Sequence, residues 1–453
     1  MFDLKEYKNW EGHSHGLLLI KGQPGAGKST LMAFLYSRHK KRYKKGRQGI
    51  NLEFFFNGRG VESQRSPLGM LRSLLNQLFR QDEVVRPLVR DEYREKYHTF
   101  GGSGHGWHWL QSELEQLHQD SILLSAQQRQ VTIFADELDG VGAQFASEIT
   151  AYFHRVGDSV AAKMASAKIC ISCRYYPVPT IRPGEEISID QHNKSDITTY
   201  VKDRLYVEHI GVTDIPGRNA WTHLQSDIIA QSGGIFQWVH LIVALIESRT
   251  ADGESVGQAR HWLLYVRHEL SDVYQDILKN TIKREYRSQS LLLFQWVCHD
   301  GRPLSVTEMR YVLAATDTAQ KSHSIRCQKT GDFAQTDDQI KQRIRALSGG
   351  LIEVVKVPEG GGNETVQVIH QSVTEFLRAR GLAYLATLAE ADKKAICVMP
   401  DTEPPGNDNI HNCPAPFDGS CLNHLVTEYA KIVVIAIFVE MMFSGFPTSP
   451  VSG

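Results

Sequence analysis

The run Gly22-Gln23-Pro24-Gly25-Ala26-Gly27-Lys28-Ser29 satisfies the pattern GxxxxGK[ST], which restricts the surrounding fold tightly. Glycines at these spacings let the backbone curl and turn its N–H groups toward phosphate oxygens. Lys28 is then placed for the β- and γ-phosphates and Ser29 for Mg²⁺. The motif needs a strand before it and a helix after it. Leu17-Leu18-Leu19-Ile20 supplies the apolar run, and Lys28 to Tyr43 reads as the helix. Gly22, Pro24, Gly25, Ala26, Gly27, Lys28, Ser29 and Thr30 are therefore candidate nucleotide-binding residues.

A phosphate loop of this kind needs an acid at the tip of a nearby buried strand to hold the water shell of Mg²⁺. Val131-Thr132-Ile133-Phe134-Ala135 is such a strand, and it runs into Asp136. Asp136 is the candidate metal residue, together with Ser29. Glu137 and Asp139 are candidates for polarising an attacking water. A further apolar run, Lys168 to Cys173, ends at Arg174, where a cation can sense the γ-phosphate.

Around these motifs, strand-like and helix-like stretches alternate. Asn51 to Phe56 reads as a strand. Ser66-Pro67 opens a helix, with Ser66 as N-cap and Pro67 in the first turn. Trp109 to Leu124 reads as an amphipathic helix, and Ile187-Ser188-Ile189 as a short fifth strand. Strand alternating with helix implies a parallel α/β sheet. From Asp196 to about residue 300 the pattern becomes helical. Pro303–Ala315 and Thr336–Leu347 follow as helices. Leu351–Val357 and Val366–Ile369 read as two strands joined by a loop, and Gln371–Ala386 as a closing helix. The expected architecture is an α/β P-loop NTPase domain with a parallel sheet, followed by a helical domain and a winged-helix domain. The expected boundaries are a linker at 1–15, the NTPase domain at 16–195, the helical domain at 196–286, the winged helix at 287–387 and a weakly structured tail at 388–453.

Bulk composition agrees with a globular chain of roughly two to four domains. Of its 453 residues, 42% are hydrophobic and 22% charged. A formal net charge of −1 gives no global case for nucleic acid or an anionic membrane. Seven unevenly spaced Cys read as reduced thiols, and no signal peptide precedes the first strand, so the cytoplasm is the expected location. The apolar run Ile432 to Val439 is shorter than the roughly 20 residues a span needs and is followed by Glu440, so no membrane anchor is expected.

Weaker signals have ordinary readings. Asn193-Lys194-Ser195-Asp196 matches the guanine-reading pattern NKxD, but three polar residues separate it from the strand, and the position three after Asp136 is Asp139 rather than Gly. A helix start is the simpler reading. Arg38 to Arg47 carries seven Lys or Arg, as the solvated end of a helix does. Cys170 and Cys173 fall on opposite faces of a strand and cannot share a metal. His411, Cys413, Cys421 and His424 are loosely zinc-like around a Pro- and Gly-containing spacer. Trp238, Leu241 and Leu245 form a core stripe.

Taken in order, LLLIKGQPGAGKSTLMAFL, LEFFFNGRG, SPLGMLRSLLNQLF, IFADELD, KICISCRYYP, KSDITTYV, GGIFQWVHLIVALI, RPLSVTEMRYVL and VIHQSVTEFL resemble the NACHT-type STAND NTPases of filamentous fungi. These include heterokaryon-incompatibility proteins and proteins with a nephrocystin-like N-terminal NTPase domain. The resemblance covers residues 7 to 385. It implies a nucleotide-operated signalling switch, closed with ADP and opened by ATP with Mg²⁺, that self-associates on activation. It carries over Lys28 and Ser29, Asp136, Arg174 as a sensor arginine, and His370 as a contact to the β-phosphate of ADP. Two departures bear on chemistry. Gly140 stands where the family usually has Glu, which sets nucleotide binding ahead of hydrolysis, and Cys173 stands where Ser is usual. Neither an effector before residue 7 nor repeats after 385 are recognisable. That leaves a core switch with partners on other chains, or a piece of a larger architecture. An ATPase or GTPase with real turnover and a non-switching nucleotide-binding scaffold are the rival readings.

Overall fold

A computed structural model describes residues 1–44, 49–58, 62–100, 108–138, 142–175, 185–205, 215–266, 268–298, 303–319, 333–356 and 364–397. The zinc-like residues 411–424, the apolar run 432–439, Asp139 and Gly140 lie outside the described residues. Two compact units are present. One comprises residues 1–273 with 370–372, and the other comprises 274–369 with the described residues from 373 onward.

In the first unit, five strands, β1 (Gly16–Lys21), β2 (Gly49–Phe55), β3 (Gln130–Asp136), β4 (Ala167–Cys173) and β5 (Glu185–Ser188), form a wholly parallel sheet in the order β2-β3-β4-β1-β5. A parallel sheet must be covered on both faces, and the period-2 alternation of these strands supplies two apolar surfaces. Leu18, Ile20, Phe134 and Cys170 join one buried cluster, while Leu19, Ile133, Ala135, Ile169, Ile171 and Cys173 join the other. The two cysteines of the CxxC run therefore sit in different cores, each as a buried free thiol.

Helices α1 (Lys5–Gly12) and α2 (Lys28–Lys44) contribute Tyr7, Trp10, Met32 and Leu35 to the first core. Helices α3 (Pro67–Gln81), α4 (Arg86–Phe100), α5 (Gln111–Ala126) and α6 (Ala143–Ala162) bring apolar residues to the second. Helix α3 begins as its sequence requires: the Ser66 side chain accepts from the N–H of Gly69, with Pro67 in the first turn. The edge strand β2 is sealed by the same helix. The Gln77 carboxamide bonds both the N–H and the C=O of Glu53, at 2.9 and 2.8 Å, and Gln81 donates to the carbonyl of Asn51 at 2.9 Å. The spacing suits this pairing, since four helical residues rise about 6.0 Å and two strand residues about 6.6 Å.

The segment expected to be a linker, residues 1–15, carries α1 docked on the sheet. The Trp10 indole donates to the carbonyls of Ile169 and Gly16, at 3.2 and 3.3 Å, and Glu11 pairs with Arg42. With only Tyr7 and Trp10 buried, so short a helix leaves little periodic signal. Part of the basic run thus has structural partners: besides Arg42, Arg38 lies over the Phe2 ring. Helix α4 is too polar to announce itself. Helix α6 is not, because Ala146, Ile149, Phe153, Val156 and Val160 keep helical spacing and are buried.

The unit continues as helices α7 (Ile189–His192), α8 (Lys194–Arg204), α9 (Ile215–Gln231), α10 (Phe236–Ala251) and α11 (Val256–Leu263). Trp238, Leu241 and Leu245 of α10 are buried, as the stripe predicts. In the second unit, β6 (Leu304–Ser305), β7 (Ile352–Lys356) and β8 (Glu364–Val368) form an antiparallel sheet in the order β6-β8-β7. Helices occupy Arg287–Val297, Val306–Ala319 and Asp337–Ser348, the last capped by the Thr336 side chain. Within the stretch expected to be helical from Asp196 to about residue 300, the helix beginning at Leu270 passes into a π-turn at Ile277–Thr281. The closing helix contains another at Leu377–Gly381 and runs on to Cys397. No helix among the described residues is long and apolar enough to cross a membrane.

Two buried histidines in the first unit make stability depend on pH. Burial, and then the Arg42 charge, lowers His39 from the ordinary 6.5 to about 4; burial lowers His118, bonded to the Tyr152 hydroxyl, to about 3. The unfolded chain takes up these protons near pH 6.5 and the fold refuses them. Their contribution is therefore fully present above about pH 6.5 and lost as pH falls toward the native values, by up to about 1.4 kcal/mol per pH unit for each group. Thermal midpoints are expected to fall between pH 7 and pH 5, with a shallower slope in His118→Gln. Equal slopes would remove His118 from the cause.

Candidate functional site

The sheet order places the site. Strand β1 lies between β4 and β5; the chain leaving β1 crosses to β2 on one side while the chain leaving β4 crosses to β5 on the other, the arrangement at whose C-terminal ends parallel sheets bind ligands. The phosphate-type loop follows β1 and leads directly into α2. Asp136 ends β3, and Arg174 comes immediately after β4. Three of the site segments read from the sequence therefore share one edge of one sheet.

Within the loop, Gly25 and Gly27 have φ of +79° and +98°. Only glycine holds such angles without strain, and left-handed residues alternating with ordinary ones, as Ala26 does between them, turn backbone N–H groups inward as an anion nest. A Cβ on Gly27 would meet nothing within 4 Å, so its requirement is conformational. On Gly25 it would also strike the Gln237 Cβ at 2.7 Å, so that glycine permits close packing too. Lys28 is buried, and its ammonium donates to the carbonyls of Gly22 and Gln23 at 2.9 and 3.1 Å. Ser29 and Thr30 are exposed on the first turn of α2.

Asp136 is 2% exposed. The Ser172 hydroxyl on β4 donates to the Asp136 carboxylate and accepts from the backbone N–H of Glu137 at 3.0 Å. Glu137 has φ +59°, a left-handed conformation that non-glycine residues seldom adopt. One hydroxyl therefore orients the candidate metal carboxylate and braces the strained residue after it. Sequence reading passed over Ser172. The signal available was a hydroxyl inside an otherwise apolar strand, where a buried polar group needs a partner.

This donor set suits a Mg²⁺–nucleotide. Among the described residues no group of three or more His, Cys, Asp or Glu is placed to hold a metal. Mg²⁺ bound with phosphates needs only one or two protein carboxylates and keeps several waters. Asp136 would supply one such carboxylate and Ser29 a hydroxyl. Arg174 is half-buried. His370 is also half-buried; its Nδ1 accepts from the N–H of Ser372 at 3.1 Å, which assigns the proton of the neutral ring to Nε2. The residues 370–372 group with the first unit.

Asn193 bears out the helix-start reading in its backbone, standing at the N-cap of α8 with its carbonyl accepting from the N–H of Ile197. Its side chain makes no cap bond to α8 and is not presented to a base. It is 5% exposed, and Nδ2 donates to the carbonyls of Ala26 at 3.1 Å and Gly234 at 2.7 Å. A guanine-reading asparagine needs its amide available, and this amide has both hydrogens committed.

The Ser172 bridge is testable. Ser172→Ala leaves Asp136 and the Glu137 N–H each without that partner, so the expected loss is about 1–3 kcal/mol by urea denaturation. An unchanged urea midpoint would mean the bridge carries no energy.

Residues 1–174 match the family Nephrocystin 3, N-terminal. No curated protein matches the chain. Among solved structures, the chain is similar to the Aeropyrum pernix ORC1 protein in complex with DNA, at 10% identity and TM-score 0.34, covering 85% of this chain and 88% of that one. It is similar to Drosophila ORC bound to DNA at 11% identity and TM-score 0.36, covering 84% and 86%. The Aeropyrum pernix ORC2 protein, in ADPNP-ADP complexes, gives 12% and 0.34, covering 84% and 89%. Likenesses this distant carry no inference about what this chain binds. The family match and the motif geometry fall on the same sheet, so residues 1–174, which carry the phosphate-type loop, are similar to the nephrocystin 3 N-terminal domain.

Proposed function

We propose that the protein is a signal-transduction switch of the STAND type, operated by exchange of ADP for ATP with Mg²⁺ and turning over slowly or not at all. The observation that carries this reading is the convergence of the Lys28–Ser29 loop, the Ser172-braced Asp136 and the Arg174 position at one sheet edge within a nephrocystin-3-type domain. Lys28 is assigned to the β- and γ-phosphates, Ser29 and Asp136 to Mg²⁺, and Arg174 to the γ-phosphate. His370 is assigned to the β-phosphate of ADP through Nε2–H. When bound, Mg²⁺ would offset phosphate charge. Glu137 is the residue proposed to polarise water.

The proposed division remains an NTPase domain at 16–195, a helical domain at 196–286, a winged helix at 287–387 and a tail at 388–453. The order of helix, short strand, two helices and a two-stranded hairpin in the second unit supports the winged-helix assignment. Self-association on activation, effector and sensor modules on other chains or in a longer protein, a cytoplasmic location, and a role in fungal innate immunity of the heterokaryon-incompatibility kind all belong to the same proposal.

Lys28→Ala is expected to abolish the thermal shift produced by ADP or ATP, and a retained shift would contradict the site. Steady-state turnover is expected below about 1 s⁻¹; a faster rate favours a working ATPase. His370→Leu is expected to release ADP faster than the wild type, and equal off-rates would remove His370 from the site. Size-exclusion with ADP against a non-hydrolysable ATP analogue reads the switch itself. Identical assembly state and protease sensitivity in both would leave only a scaffold.

A further inference from the structure

The loop at residues 22–29 is held from behind by two segments that the nucleotide chemistry does not use. Residues 189–193 form the first. The Ile189 side chain lies 2.5 Å from where a Cβ on Gly22 would stand, so that glycine is required by contact with Ile189. Asn193 donates to the carbonyl of Ala26. Asp190 accepts from the Tyr175 hydroxyl at 2.5 Å, beside Arg174. The second segment is the turn Gly233-Gly234-Ile235 leading into α10. There the N–H of Gln237 donates to the Gly25 carbonyl at 2.9 Å, and the Ile235 side chain is 3.3 Å from a Gly25 Cβ. The two segments also join each other. Asn193 reaches the Gly234 carbonyl, and a Cβ on Gly234 would fall 2.3 Å from the Asp190 carbonyl oxygen.

Resting on the nucleotide-switch reading, we propose that Asn193 is a positioning residue that makes the phosphate loop and the start of α10 move as one body, so that nucleotide occupancy is transmitted to the helical segment. The amide cannot be rotated in place, because exchanging Nδ2 for Oδ1 would set an oxygen against two carbonyl oxygens. Oδ1 itself is buried with no hydrogen-bond partner. What the asparagine supplies is one planar donor that meets two separate carbonyls at once, one in the loop and one in the turn. Displacement of the Gly25–Ala26 backbone when phosphate binds must then displace Gly234 and the Gln237 N–H, and with them Trp238, which is fully buried in α10.

The test uses the full chain with ADP, in wild type, Asn193→Ala, Trp238→Phe and Lys28→Ala. Wild type is expected to change tryptophan fluorescence on ADP binding, and Trp238→Phe to lose that change. Asn193→Ala is expected to bind ADP still, to release it about tenfold faster, and to give little or no Trp238 signal. A wild-type off-rate together with a wild-type signal in Asn193→Ala would overturn the proposal. Full ADP binding by Lys28→Ala would instead overturn the nucleotide-site reading beneath it. Should Asn193→Ala fail to fold, hydrogen exchange on the wild type decides. The Gln237 amide is expected to slow with ADP together with the amides of residues 25–27, and protection of the loop without any change at Gln237 would refute the coupling.

Discussion

A wholly parallel sheet cannot leave either face to water, and the rest of the first unit follows from that constraint. Five strands with apolar residues at both alternations require helices on both sides. Each helix must return to the same end of the sheet before the next strand begins. All the strand-to-helix connections therefore collect at the C-terminal edge, where the Gly22–Ser29 loop, Asp136 and Arg174 are found. The order β2-β3-β4-β1-β5 sets β4 between the loop strand and the acid strand. It is this intervening strand that delivers Ser172 to Asp136. Pairing of β1 with β4 is thus as important to the site as the glycine-rich loop.

Much of this was legible in advance. Four of the five strands are short apolar runs, and the loop motif dictates what precedes and follows it; the fifth, expected at Ile187–Ile189, is instead Glu185–Ser188, with Ile189 opening α7. The helix α3 cap at Ser66 and the core stripe on α10 were readable for the same reason: the physics that creates them is local. Elements whose burial rests on one or two side chains were not. Helix α1 commits only Tyr7 and Trp10 to the core, and its hold on the sheet comes from the Trp10 indole bonding carbonyls more than a hundred residues away or across a turn. The strand β6 has two residues and exists only because β8 pairs with it.

Asn193 illustrates the same limit at the site. Its sequence context offers two meanings, base reader and helix start; its backbone does begin α8, while its buried side chain has a role that neither meaning names. Its two bonds join the carbonyls of Ala26 and Gly234, residues remote in sequence from it and from each other. The glycines behave similarly. Gly25 and Gly27 are required by backbone angle, a local property visible in the motif. The second reason for Gly25, close approach of Gln237, belongs to the fold.

By itself, the sequence determined the α/β class, the phosphate loop with its lysine and hydroxyl, the acid at the end of a buried strand and the cation after the next one. These depend on residue type at fixed spacing, on period-2 burial and on local capping, none of which needs a distant partner. Only the tertiary structure decided that Ser172 holds Asp136, that Glu137 is strained into the left-handed region, and that Asn193 joins the back of the loop to α10. Each of these rests on a bond between strands or loops far apart in the chain. Its geometry exists only after the sheet order has chosen which ends meet.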